Sequence, residues 1–338
     1  MITRLSDGDI IIQFERKLKE KKLDKLQDEI ASTAIHGLIY NNLKVYHSVD
    51  SEHQMGVRSH DIQHILNPRL SLGTALVFHM KDGQIRENIA NSVVKWDPLR
   101  DPLIYSEAKK RKDKHGINIL PIPFVNVNLR KKDEGKIEEK QRFELFRAFR
   151  AYKRNQEEVA LSKNKGVSCG NFVSYSIKVG LIKKLFPKGL PNEIQQKINS
   201  IESKKTPDKR KLSDINSEEL IEFEKLILEN LASIHMEEKN VISISDLLQE
   251  LYRIVKSRTI GDFCHDAFQH PAVWDFSGHV FYRESSNKEL EAWIMPHNLY
   301  LQFIDKFNKH KLIVSDKELL ELGINVELLE QKSFSLKK

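Results

Sequence analysis

Two apolar runs joined by an asparagine pair, Ile35-His36-Gly37-Leu38-Ile39-Tyr40 and Leu43-Lys44-Val45-Tyr46-His47-Ser48, require a β-hairpin early in the chain. Asparagine tolerates positive φ, so Asn41-Asn42 suits a two-residue hairpin turn. With Tyr40 pairing Leu43, the register places His36 opposite His47, on a face shared with Leu38, Tyr40, Val45 and Val49. Directly opposed residues hold their Cβ atoms roughly 4.5–5.5 Å apart, so one imidazole can orient the other. Ile10-Ile11-Ile12-Gln13-Phe14 and Ala75-Leu76-Val77-Phe78-His79 read as further short strands, which makes residues 1–100 a β-rich region.

Helical patterning follows. Phe143, Phe146, Phe149 and Tyr152 recur at helical spacing over Gln141 to Asn155, and a second helix is expected from Ser168-Cys169 to a stop at Gly180. Residues 106–140 are charged and broken by Pro121 and Pro123, with room for a strand over Ile117 to Val127. Residues 201–215, polar and basic around Pro207, read as a linker. Beyond them, Asn216 with Glu219 forms a capping box before Leu220, Ser245 caps a run through Leu248, Leu251 and Val255, and Asp316 to Gln331 is helical with an interruption at Gly323. Residues 216–338 are therefore expected to form an α-rich accessory domain that selects a partner and supplies no chemistry. On that reading a chain ending near Lys197 keeps a reactive thiol, and only its failure would bring Asp275 or His279 into the mechanism.

The surface is highly charged but mixed, 55 basic against 48 acidic residues for a net charge of +7, so nucleic acid is not demanded. Basic runs at Lys109 to Lys112, Arg130 to Lys132 and Lys204 to Lys211 read as solvated loops. The N-terminus lacks a basic-then-apolar leader, and no stretch approaches the roughly 20 apolar residues of a membrane span, so the chain reads as cytoplasmic. Two cysteines cannot staple a chain of 338 residues, which leaves a thiol free for chemistry or packing.

Cys169 is placed in the first turn of its helix, behind Ser168 as N-cap. Unpaired N–H groups and the positive end of the helix dipole favour thiolate there and can hold an oxyanion. Cys264, in Gly261-Asp262-Phe263-Cys264-His265-Asp266, has its histidine as the next residue, and adjacent side chains on a helix point apart. It reads as structural. His265 and His270, with no further ligands in evidence, give only a weak metal signal.

Leu5-x-x-Gly8-Asp9-Ile10-Ile11, then His36 on a strand, His47 on the next, and late in the chain Ser168-Cys169-x-x-Phe172-Val173 opening a helix, resembles the circularly permuted NlpC-type papain-like enzymes. The histidine-first order is most similar to the lecithin:retinol acyltransferase-like branch and to toxin or effector domains that acylate lysine. The resemblance covers roughly the first 185 residues. It implies an α+β fold: a permuted papain-like core over 1–200, an antiparallel sheet with a cysteine-bearing helix, carrying the charged segment as an insertion. It implies Cys169 as nucleophile, His36 as base and His47 as orienting third member, with Asp50 or Asp61 as alternatives to His47. The expected chemistry is a thioester passed to an amine or hydroxyl of a protein or lipid acceptor. A hydrolase (peptidase, amidase or lipase) is the alternative, and a non-catalytic scaffold a further one. No cofactor is required beyond an acyl-thioester donor such as acyl-CoA. Delivery into a host cell would suit an effector of this kind, and the basic aromatic helix Arg142 to Arg154 offers a surface for peripheral membrane contact.

Overall fold

The computed structural model describes residues 2–14, 34–51, 54–62, 75–95, 134–157, 169–203, 215–234, 242–256, 260–284, 290–307, 313–327 and 329. The chain is α+β, with helices packed on a predominantly antiparallel sheet of nine strands. The strands are β1 (Thr3–Arg4), β2 (Ile10–Phe14), β3 (Ala34–Asn41), β4 (Lys44–Ser51), β5 (Gln54–Asp61), β6 (Ala75–Met80), β7 (Trp274–Glu284), β8 (Leu290–Met295) and β9 (Ile313–Val314). Their order is β1-β8-β7-β6-β2-β3-β4-β5, and β9 pairs in parallel with β7. Among the described residues the helices are α1 (Gly83–Lys95), α2 (Glu134–Glu157), α3 (Cys169–Leu185), α4 (Asn192–Ser203), α5 (Ser217–Ile234), α6 (Ile244–Lys256), α7 (Ile260–Gln269), α8 (His297–Phe307) and α9 (Asp316–Glu321).

Strand alternation divides the core. Ile10, Ile12, Ile39, Leu76 and Phe78 face the helices, among them Phe172 and Val173 of α3, while Ile11, Leu38, Tyr40, Val45 and Val77 line the opposite face with Val280 and Tyr282. A third cluster joins Phe281, Trp293 and Met295 to Tyr300 and Phe303 of α8.

The region 216–338 departs from the expected α-rich domain. It contributes β7, β8 and β9 to the same sheet, with β7 paired along β6 near its middle. β7 is buried on both faces, Val280 and Tyr282 in one cluster and Phe281 in another, so its sequence lacks the apolar–polar alternation of a one-sided strand. The strand expected over Ile117 to Val127, most of the 106–140 segment, and residues 204–214 of the linker lie outside the described residues.

Local details also differ. The cysteine helix does not stop at Gly180. A Cβ there would meet Ile89 Cγ1 at 2.6 Å, so the glycine lets α3 and α1 approach closely. Helix α6 is capped by Ser243, whose hydroxyl accepts from the Asp246 N–H, not by Ser245. Asn216 accepts from the N–H of Glu218 at the start of α5. The aromatic stripe of α2 is buried, Phe146 and Phe149 meeting Phe223 edge to face, so that face is not available to a bilayer. Among the described residues no helix is long and apolar enough to cross a membrane.

The hairpin forms, but its turn lies one residue later than expected. Asn41 pairs with Lys44, and the turn residues are Asn42 (φ 48°) and Leu43 (φ 61°). The Asn42 N–H donates to Asp7 Oδ1 at 2.8 Å, and Tyr40 exchanges backbone hydrogen bonds with Gly8 and Asp9, which seats the turn on the Leu5-x-x-Gly8-Asp9 segment. Asp9 is fully buried and accepts from the Ser6 N–H at 2.8 Å, with His79 Nδ1 at 2.6 Å from its other oxygen. Leu43 is held in the left-handed region while its side chain is 70% exposed, so it carries the strain without packing gain. Leu43→Gly is expected to raise stability by about 1 kcal/mol, read from the thermal midpoint.

Candidate active site

The shifted turn moves the β3–β4 register by two residues, which preserves faces but changes partners. Tyr40 pairs with Val45 and Ile39 with Tyr46. Extended, that register sets His47 opposite Leu38 and His36 opposite Val49, so the imidazoles are diagonal neighbours and not directly opposed as expected. They nonetheless meet: His36 Nε2 lies 2.7 Å from His47 Nδ1, with the rings nearly perpendicular.

A third ring joins them, one that sequence reasoning missed. His47 Nε2 lies 2.7 Å from Nδ1 of His60 on β5. In the β4–β5 register His60 pairs with Val45 and His47 with Arg58, so His60 is again a diagonal neighbour on the same face. His47 is buried, while His36 and His60 are half-buried. Asp61 is exposed and pairs with Lys44 beside the turn, far along the strands from His36. Asp50 pairs with Met55 on β5, and its side chain lies outside the described residues. Of the three candidates for third member, the structure brings His47 to His36.

Cys169 is the first residue of α3, and Ser168 lies outside the described residues. The helix packs on the face of β3 that carries Gly37 and Ile39, opposite the face that carries the imidazoles. The link between them is the strand backbone at the seam between β3 and β4. Tyr40 uses its backbone groups toward β2, and alternation turns the Gly37 N–H toward β4. Among the described residues the β3–β4 pairing ends at Ile39↔Tyr46, so the strands are not paired at Gly37. The sulfur of Cys169 takes a hydrogen bond from that Gly37 N–H, one peptide unit from His36 Cα. Gly37 has no room for a side chain, since a Cβ would lie 2.4 Å from Ile260 Cδ1 and 3.0 Å from Val173 Cγ2. Its bareness lets α3 and α7 close on the strand.

Burial pushes the Cys169 thiol up, and the backbone N–H groups of Gly37, Gly170 and Cys169 itself oppose that shift only in part. The helix-start effect anticipated from the sequence is present but is outweighed by desolvation. A neutral thiol is therefore the resting form. Cys264 behaves as expected of a core residue, fully buried with its thiol pushed up by desolvation. Among the described residues no cluster of metal-binding side chains occurs, and His265 and His270 bond separately, to Gln269 and to Glu250.

Gln13 is the register partner of His36 across β2–β3 and lies on the imidazole face. It is fully buried, and among the described residues neither polar atom of its carboxamide has a hydrogen-bond partner. An unpaired buried amide is costly, and this one lies beside His36. The signal was present in the sequence as one polar residue in the run Ile10-Ile11-Ile12-Gln13-Phe14. Gln13→Leu is expected to raise stability by about 1–2 kcal/mol, which a thermal melt would show.

His279 and His297 form a second pair at 2.9 Å, with His279 stacked on Tyr300 at a centroid distance of 3.7 Å. Asp275 pairs with His79 in the β6–β7 register and forms a salt bridge to Lys81.

No family model matches the chain, and neither a curated protein nor a solved structure is similar to it.

Proposed function

We propose that this chain is a thiol-dependent acyl-transfer enzyme built on a permuted papain-like core, with Cys169 as nucleophile, His36 as base and His47 orienting His36. The observation that carries the reading is the seam between β3 and β4. There the Cys169 sulfur meets the Gly37 N–H at a helix start, and the next residue back is a histidine hydrogen-bonded to a second histidine.

In this reading His36 takes the thiol proton as Sγ attacks the acyl carbonyl. The carbonyl oxygen gains charge beside the first N–H groups of α3, the leaving group departs with a proton returned by the imidazole, and a thioester remains on Cys169. An amine, a hydroxyl or water then attacks the thioester. His47 holds the His36 ring in one tautomer and position. An acyl-thioester such as acyl-CoA suits the donor role, and a protein lysine or a lipid hydroxyl suits the acceptor role.

One observation favours a non-catalytic core: a thiol pushed up by burial is also what an inert cysteine shows. The full-length protein should be incubated with acyl-CoA and peptide-thioester panels, with a lysine peptide, glycerol or no acceptor present. Acyl-lysine or acyl-glycerol in excess of free acid supports transfer. Free acid alone identifies a hydrolase. Consumption of no donor sinks both enzymatic readings.

A further inference from the structure

Helix α8 is fastened to β7 by the second histidine pair. A bulge in β7 between Phe276 and Gly278 re-phases the strand, so Phe276 and His279 approach each other although they lie three residues apart. His279 is fully buried, and its Nε2 lies 2.9 Å from Nδ1 of His297, the first residue of α8. The His297 ring stacks on His279 and tilts against Phe276. Its own Nε2 is buried and has no hydrogen-bond partner among the described residues. One turn on, Tyr300 and Phe303 carry α8 onto Phe281, Trp293 and Met295. We propose that His297 is a proton-sensing latch: neutral, it holds the start of α8 on β7, and its protonation below about pH 6 releases the helix and uncovers this aromatic surface. The latch does not depend on the chemistry at Cys169.

The hydrogen count shows why the closed contact rejects a proton. A neutral pair has one hydrogen in the His279–His297 contact. If His297 supplies it from Nδ1, an added proton must go to Nε2 and makes a buried N–H with no acceptor. If His279 supplies it, the added proton falls on His297 Nδ1 and puts two hydrogens into one 2.9 Å contact. A charge at this position also meets the positive end of the α8 dipole. Burial accordingly pushes the His297 imidazole below its ordinary value, and a charge moved to the fully buried His279 meets more desolvation still.

No neighbouring carboxylate is placed to offset that charge. On the pair, β7 presents His279 and Phe276, and α8 presents Tyr300, whose phenol burial pushes up. Met295 and Pro296 lead into the helix, and α7 reaches this corner through Phe268, which packs on Phe276. Elsewhere on β7, Asp275 is paired with Lys81 and Arg283 with Asp316. Above about pH 6.5 neither the closed nor the open form carries charge at His297, and the contact is at full strength. As pH falls, the open form takes up the proton and the closed form does not, so opening gains up to about tenfold per pH unit until the lowered value of the closed form is reached.

The test is hydrogen–deuterium exchange of the full-length protein from about pH 7.5 to 5.5, corrected for the intrinsic pH dependence of exchange, in wild type, His297→Asn and His297→Phe. Asparagine keeps a polar group for His279, phenylalanine keeps a ring, and neither titrates. Protection of α8 in wild type is expected to fall about tenfold between about pH 6.5 and 5.5 while α3 stays protected, and in the variants α8 should not respond to pH. Constant protection of wild-type α8 over this range overturns the proposal, as does a loss shared equally with α3. The wild-type pH dependence reproduced in a folded variant overturns it too. Imidazole 15N shifts of wild type decide the case in which neither variant folds: His297 should stay neutral until α8 opens, and a charged His297 ring beneath a protected α8 would contradict the latch.

Discussion

A chain cut after Ser203 is expected to show no cooperative thermal transition. The cut removes β7, the partner of β6 near the middle of the sheet, together with β8, the partner of β1. It also strips the cysteine helix of its neighbours: the Ser174 hydroxyl donates to the Ile254 carbonyl of α6, and Ile260 of α7 fills the space above Gly37. Phe78 loses its edge contact with Phe263. Each such core loss costs several kcal/mol, against a total stability of about 5–15 kcal/mol for a domain. Near-ultraviolet circular dichroism and a thermal melt check this. A folded short form with a reactive thiol would restore the separate accessory domain expected from the sequence.

Cys169→Ala is expected to abolish acyl-enzyme formation, because no other described nucleophile occupies the seam. His36→Ala should lower the rate by about 10²–10⁴, the range for general-base catalysis, and more steeply below neutral pH than above it. The thiol is pushed up by burial, so thiolate is scarce at neutral pH without a base and recovers as pH rises. His47→Ala should cost less, since an orienting residue is partly replaceable. Cys264→Ala should keep its rate and lose only packing stability. A dead Cys264→Ala beside an active Cys169→Ala would reverse the assignment.

The hairpin, the strands at Ile10 and Ala75 and the helix opening at Cys169 were legible because each carries a strong local pattern between turn or cap residues. The exact register was not. Placing Asn42-Leu43 in the turn requires a leucine at positive φ, which local preference argues against and the Asp7 contact to Asn42 helps to hold. Because the error was two residues, His36 and His47 stayed on one face, and the pairing of the two rings survived the wrong partners. His60 was hidden behind β5, whose sequence QMGVRSHD has too little apolar alternation to read as a strand. Helix α1 did carry a usable signal in Ile85, Ile89 and Val93 at helical spacing. β7 and β8 were lost to the helical pattern around them, since a strand buried on both faces has no period of two to detect. Long-range pairing of β7 with β6, across almost two hundred residues of chain, is a tertiary fact that no local window contains.

The central claim, a thioester on Cys169, is tested most directly by intact mass and peptide mapping of the full-length protein quenched in acid after incubation with acyl-thioester donors. One acyl increment on the peptide containing Cys169 is expected, absent from Cys169→Ala and retained in Cys264→Ala. An increment on Cys264, or none with any donor while iodoacetamide still reaches Cys169, would contradict it.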